Sequence, residues 1–313
     1  MVIRTPQLSA DVLPPFRRRD LPGLLLSRHE LDALLAAGMV VQPVRGVYLD
    51  ARAVGDPVRR AQAVSLVLPP DAAVGRRTAA WVHGVDARGP GELDVPLPLE
   101  VVVRTGTTPL RRAGVRAYEA SLSEDDIALA HGVPVTTPLR TACDLARYLR
   151  PFVALGCLDA IARAGLCHPT EMLSRLHDWS GGRNVARARR LVGLCDPRSE
   201  SPGESWTRLR IVDAGFPAPE TQVWIRDHNG TGVYRLDLGW SRRRIAIEYD
   251  GREFHSRPEH VEHDRRRRED LARRFGWHVV GVGLGEVLGS SLAFERGVGE
   301  LLGMEPQISR RTW

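Results

Sequence analysis

The stretch Asp237-Leu-Gly-Trp-Ser-Arg-Arg-Arg-Ile-Ala-Ile-Glu248-Tyr-Asp250-Gly251 restricts the fold more than any other part of this chain. Two short apolar runs flank a polar, Arg-rich turn at 241–244, a pattern that predicts an antiparallel hairpin. Such pairing brings the carboxylates of Asp237 and Glu248 to one end of a sheet. Asp250, two residues beyond Glu248, points to the same face of a continued strand, and Gly251 permits a sharp turn there. Ionised carboxylates are costly to take out of water unless they are paired or bound to metal. The hairpin therefore predicts a cation at its end.

That cation is not an ammonium. All 44 residues counted as Lys or Arg are Arg, which excludes a P-loop lysine, a Schiff-base lysine and any catalytic lysine. The net charge of +6 and pI of about 9.6 favour an anionic partner such as nucleic acid. The chemistry that joins clustered acids to a polyanion is phosphodiester hydrolysis with Mg²⁺ or Mn²⁺, which needs oxygen ligands and room for water. On this reading Asp237 and Glu248 are the metal ligands, and Glu204, opening the helix after a linker, reaches the same site. His255 is the proton donor or water-orienting group, and Arg252 or a histidine acts as electrophile, with Arg252 also a candidate DNA contact. In the helix expected over 258–275, Asp264, Arg267 and Leu271 share a face that Leu271 turns to the core, so Asp264 and Arg267 line or buttress the site. Arg265, Arg266 and Arg268 look outward, where they grip backbone phosphates. The alternative for these three is a solvated helix laced with i, i+4 ion pairs.

Three segments follow from the remaining patterns. In the first, residues 1–55, Ser27 and Glu30 form a capping box. Leu31, Leu34 and Leu35 form an apolar stripe, Gly38 ends the helix, and Val40–Val44 with Val47–Leu49 read as a hairpin. A helix followed by such a hairpin is the second half of a winged helix, with Arg28 leading the helix into a groove and Arg45 at the hairpin turn on the backbone. A winged helix used for protein contacts is the other reading. Residues 56–195 read as mixed helices and strands, including Leu99–Val103, Val133–Thr136 and a helix opened by Thr137-Pro138. Arg187, Arg189 and Arg190 lie on the helix over 184–194, as phosphate contacts or as a solvated face. Residues 196–203 look like a linker, and 196–313 read α-β-β-β-α-β-α. The fold class is mixed α/β (α+β). Four cysteines without C-x-x-C spacing suggest reduced thiols. With no signal-like N-terminus and no long apolar run, a cytoplasmic protein with no membrane span is expected.

Two resemblances rest on these residues. The segment from Glu204 to about Val282 resembles the PD-(D/E)XK nuclease superfamily, specifically its very-short-patch-repair (Vsr) endonuclease-like domain of unknown function. The motifs are Ser201-Pro-Gly-Glu204, Arg235-Leu-Asp237, Ile245-Ala-Ile-Glu248-Tyr-Asp250-Gly251, His255, Asp264-x-x-Arg267-x-x-x-Leu271 and Gly276-Trp277. The resemblance implies a restriction-endonuclease-like mixed sheet flanked by helices, with Asp237 and Glu248 holding Mg²⁺ and Glu204, Asp250 and His255 accessory. The third motif departs from the superfamily: Glu-Tyr-Asp replaces Glu-x-Lys. Residues from about 20 to 195 resemble the AbiEi-like antitoxin of type IV toxin–antitoxin systems. The matching residues are Leu24-x-x-Ser27 with Arg45-Gly46-Val47-Tyr48, Arg77-Thr-Ala-Ala80 and Val135-Thr-Thr-Pro-Leu-Arg-Thr141, and the winged-helix part is the more specific. This implies DNA binding, with or without a toxin partner. Two functions are thus expected: a metal-dependent DNA endonuclease, or a non-catalytic repressor whose nuclease fold has degenerated.

Overall fold

In the computed structural model, which describes residues 12–92, 97–107, 110–251 and 258–313 and only the backbone over 258–263, local capping sets the first helix. The Ser27 hydroxyl accepts the Glu30 N–H at 3.2 Å and the Glu30 carboxylate accepts the Ser27 N–H at 2.7 Å. This pair opens α1 (Arg28–Ala36). Ahead of it lie a two-residue strand, β1 (Phe16–Arg17), and a 3₁₀ segment (Arg18–Leu24). After it β2 (Val40–Val44) and β3 (Val47–Asp50) form the expected hairpin, and β1 adds to β3 to give the order β1-β3-β2. Phe16 stacks on Tyr48 with ring centroids 5.5 Å apart, over a core of Leu21, Leu31, Leu34 and Val40. The triple arginine before α1 serves this fold. Arg17 donates to the Leu66 carbonyl at 3.0 Å, and Arg18 donates to Tyr48 at 3.0 Å and Asp32 at 3.1 Å.

The chain continues through α2 (Pro57–Ser65), β4 (Ala72–Val74), α3 (Arg76–Val82), β5 (Leu99–Arg104), β6 (Val115–Ala120), β7 (Ile127–Ala130), β8 (Val133–Thr136) and α4 (Pro138–Tyr148). Its five strands order as β6-β5-β4-β8-β7, with β5–β6 and β4–β8 parallel and the other pairs antiparallel. Val44 and Val47 of the hairpin share a buried cluster with Ala61, Val64, Val74 and Val101. The chain falls into two compact units, Met1–Leu145 and Ala146–Trp313. A buried ionic triad lies within the first unit. Arg140 donates to Asp126 and to Asp144, each at 2.9 Å, and all three side chains are almost wholly enclosed.

The second unit holds α5 (Pro151–Arg163), α6 (Pro169–Asp178), α7 (Val185–Gly193), α8 (Pro202–Asp213), β9 (Glu220–Arg226), β10 (Gly232–Trp240), β11 (Ile245–Tyr249), α9 (Pro258–Phe275), β12 (His278–Val282), α10 (Leu284–Leu288) and α11 (Ala293–Leu302). The stretch 196–203, expected as a linker, includes the start of α8 at Pro202. Buried Asp159 of α5 pairs with Arg208 of α8, accepts the Ser205 hydroxyl at 2.6 Å and accepts the Asp196 N–H at 2.8 Å. The arginines of α7 are tied to the protein: Arg187 donates to the Arg147 carbonyl, Arg189 to the Leu176 carbonyl and Arg190 to Asp213. The sheet order is β12-β11-β10-β9, antiparallel except for the parallel β11–β12 pair. Ala246 packs with Leu271 of α9 and Trp277 on one face. Tyr249, of the opposite parity, lies against α8 so closely that a Cβ on Gly203 would stand 2.0 Å from its ring. No helix among the described residues is long and apolar enough to cross a membrane.

Removing one partner of a buried ionic group leaves the others charged and unpaired, at a cost of about 3–5 kcal/mol. Arg140→Leu is expected to lower unfolding stability by about that amount in urea titrations. The triple change Arg140→Leu with Asp126→Asn and Asp144→Asn should recover a large part of the loss.

Candidate functional site

The register of the C-terminal sheet builds a polar row. Strands β10 and β11 pair as Leu238↔Ile247, Gly239↔Ala246 and Trp240↔Ile245, so the next step sets Asp237 opposite Glu248. Between β9 and β10 the pairs Thr221↔Leu238 and Val223↔Leu236 bracket Gln222 and Asp237, and β11 sets Glu248 beside Gly281 of β12. Gln222, Asp237, Glu248 and Gly281 thus cross four strands in line. Like charges placed directly opposite across strands repel, so Asp237 and Glu248 need the cation that the sequence predicts.

A guanidinium supplies it. Arg267 of α9 donates from Nη1 to Glu248 Oε2 at 2.6 Å and from Nη2 to Oε1 at 2.7 Å, the bidentate geometry that gives strong carboxylate pairs. Leu271, one turn further along α9, is fully buried and fixes the helix over the row. Asp237 Oδ2 accepts the Tyr249 N–H at 3.1 Å. Glu204, buried in the first turn of α8, accepts the Glu200 N–H and the Gln222 side-chain amide, both at 2.9 Å. A carboxylate at a helix N-terminus also meets the positive end of the helix dipole. Burial pushes the Asp237 carboxyl up to about 6, reinforced by the Glu204 and Glu248 charges and opposed by the Tyr249 N–H and Arg267.

The structure therefore brings Glu204, Asp237 and Glu248 together as expected and gives Arg267 a direct part. Gln222 is the member that sequence reasoning missed. It holds φ +56°, an uncommon backbone state for a non-glycine residue, and its side-chain Oε1 is buried with no hydrogen-bond partner. Asp250 is exposed, with its N–H on the Val282 carbonyl at 2.8 Å. His255 and Arg252 lie outside the described residues. Asp264 is exposed. Arg265 pairs with Glu269 four residues on, and Arg266 has a partner of its own. Exposed Arg268 reaches over Gly281, where a Cβ would come within 2.7 Å of its Nη2. In the first unit Arg28 and Arg45 are exposed, at the start of α1 and at the hairpin turn. Among the described residues no three His, Cys, Asp or Glu side chains are arranged to hold a metal ion. With both Glu248 oxygens on Arg267, the set in this arrangement does not fit Mg²⁺ or Mn²⁺.

Asp237 gives a signed pH test. In the unfolded chain an aspartate titrates near 3.9, while the folded group titrates at about 6. Between these values the folded state keeps a proton that the unfolded state has released, so its contribution to stability falls as pH rises across that window and is constant above it. Asp237→Asn keeps an acceptor for the Tyr249 N–H and removes the charge. The variant should gain stability over wild type between pH 4 and about 6.5, read as the difference in urea midpoint at each pH. A pH-independent difference would show that Asp237 carries no raised pKa. Gly203→Ala should lower the melting temperature by displacing the Tyr249 ring and, with it, the N–H that holds Asp237.

Comparison with known proteins locates the chain. The AbiEi antitoxin C-terminal domain matches residues 72–194. The match runs from β4 through α7 and supports the expected AbiEi-like region over that part of its span. The uncharacterized proteins Rv2248 and MT2308 of Mycobacterium tuberculosis, strains H37Rv and CDC 1551, are each 30% identical over 263 residues, covering 84% of this chain and 92% of the relative. This chain belongs to the family of those two mycobacterial proteins, and its residues 72–194 are similar to the AbiEi antitoxin C-terminal domain.

Proposed function

We propose that this protein is a DNA-binding regulator of the antitoxin class, acting on nucleic acid and, through its AbiEi segment, on a toxin partner. The match at residues 72–194 carries the reading. The order strand, 3₁₀ turn, helix, hairpin in front of it, with sheet order β1-β3-β2, supports a winged helix as the DNA-contacting element. Helix α1 bears two acids, but Glu30 is turned back onto Ser27 and Asp32 is paired with Arg18. The leading end of α1 is left with exposed Arg28 and His29, and the hairpin turn with exposed Arg45. Arginines so placed contact phosphates and set the register of a protein on duplex DNA.

Each phosphate neutralised steepens the salt dependence of binding by about 0.9 in the slope of log K against log salt. Arg28→Ala with Arg45→Ala should reduce that slope by about 1.8 on a duplex from the protein's own promoter, measured by anisotropy across a salt series. An unchanged slope would remove the winged helix from the DNA interface.

A second reading, a metal-dependent DNA endonuclease, is favoured by one observation: Glu204, Asp237 and Glu248 converge on one sheet end, with the Asp237 carboxyl raised. It predicts nicking of duplex DNA with Mg²⁺ or Mn²⁺ that Asp237→Ala and Glu248→Ala abolish while DNA binding persists. Equal residual cleavage by wild type and both variants would sink it.

A further inference from the structure

We infer that Arg267 is the resident cation of the carboxylate row and competes with a divalent metal ion for Glu248. The inference deepens the endonuclease reading and rests on it for Asp237 and Glu248 as metal ligands. A carboxylate can ligate Mg²⁺ or Mn²⁺ only through lone pairs directed at the ion. In this structure both Glu248 oxygens accept hydrogen bonds from one guanidinium, at 2.6 and 2.7 Å. Arg267 is held from other sides as well. Its Nη2 also donates to the Arg235 carbonyl at 3.2 Å, and its guanidinium carbon lies 5.8 Å from the centroid of the Tyr234 ring. The pair is largely screened from solvent, with 23% of the Arg267 and 17% of the Glu248 side chain exposed, so water weakens it little. A divalent ion entering between Asp237 and Glu248 would meet a positive charge already seated there. The two cations exclude each other, and the row in its resting arrangement is poor in metal.

The geometry also explains why the cation is arginine. A carboxylate bracketed through both oxygens needs a planar fork, which an ammonium lacks. Arg267 reaches Glu248 from a separate helix, so the pair opens by a change of side-chain rotamer without unpairing β10 and β11.

The test is Mn²⁺ binding to the full chain, followed by the electron paramagnetic resonance of free Mn²⁺, for wild type, Arg267→Ala, Arg267→Gln and Arg267→Ala with Glu248→Gln. Circular dichroism confirms that each variant is folded. Arg267→Ala should bind Mn²⁺ about tenfold more tightly than wild type, or better, in the range by which neighbours of metal ligands alter affinity. Adding Glu248→Gln should abolish the gain. If Arg267→Ala does not fold, Arg267→Gln carries the test with the same expected sign. Wild type that binds Mn²⁺ as tightly as either Arg267 variant would overturn the inference and leave the endonuclease reading standing. Absence of Mn²⁺ binding in wild type and both Arg267 variants would overturn both.

Discussion

The pairing of guanidinium with carboxylate is the interaction on which this molecule depends. A chain with no lysine must answer its buried acids with arginine, and it does so repeatedly. Asp50 is bracketed by Arg52 with a closest contact of 2.7 Å. Asp126 and Asp144 share Arg140, Asp159 holds Arg208, and Glu295 takes two bonds of 2.8 Å from Arg311. Arg210, fully buried, packs 3.7 Å from the centroid of the Trp313 ring and donates to the Val287 and Trp313 carbonyls, each at 2.9 Å. Burial, with the charge of Arg311, pushes its pKa down to about 10. The planar fork suits such sites because it satisfies several acceptors in fixed directions, where an ammonium leaves geometry open. Pairs of this kind contribute modestly to net stability, because desolvation offsets attraction, but they make a wrong arrangement costly.

The carboxylate row differs from these structural pairs in its charge balance. At Asp126, Asp144 and Arg140, or at Asp159 and Arg208, each acid has a guanidinium within hydrogen-bond reach. At the row Arg267 answers Glu248 directly, while Glu204 is held by a backbone N–H and an amide and Asp237 by a single backbone N–H. Burial, reinforced by that unmatched charge, raises the Asp237 carboxyl. An excess of acid at one enclosed point does little for folding and is the usual mark of a site that handles protons or cations. Gln222 fits the same picture, held in a strained backbone state and spanning to Glu204.

Much of this was legible in the sequence, and what was not has physical reasons. The hairpin of β10 and β11 follows from the apolar runs around an Arg-rich turn, the cap of α1 from Ser27, and the start of α4 from Thr137-Pro138. Strands β4, β6 and β7 were not. Ala72-Ala-Val is short and poor in β-branched side chains, Val115–Ala120 carries charges three apart at Arg116 and Glu119 and so lacks a period of two, and Ile-Ala-Leu-Ala at 127–130 reads equally well as helix. Their strand state comes from pairing with β5 and β8, a tertiary effect that local propensity does not carry. Asp237, Glu248 and Glu204 are visible as acids where apolar periodicity ends or a helix begins. Gln222 is hidden for a definite reason. Counting back from the Asp227–Gly230 turn assigns the wrong partner to Asp237, because the ladder shifts register between Gly232 and Tyr234.

The position two residues after Glu248 posed the sharpest question, since an acid, Asp250, stands where the resembling superfamily carries lysine. In the structure that position is solvent-exposed and its backbone continues the ladder to Val282. The charge that answers Glu248 comes from α9. A cation on the strand shares a backbone with its glutamate and arrives whenever the strand forms. A cation on α9 arrives only when that helix docks, which Leu271 ensures by filling the cluster of Val223, Ile225, Leu236 and Trp277. The electrostatics of the row are thereby tied to the packing of a helix, and a change that loosens Leu271 exposes two facing carboxylates as surely as the loss of Arg267 itself.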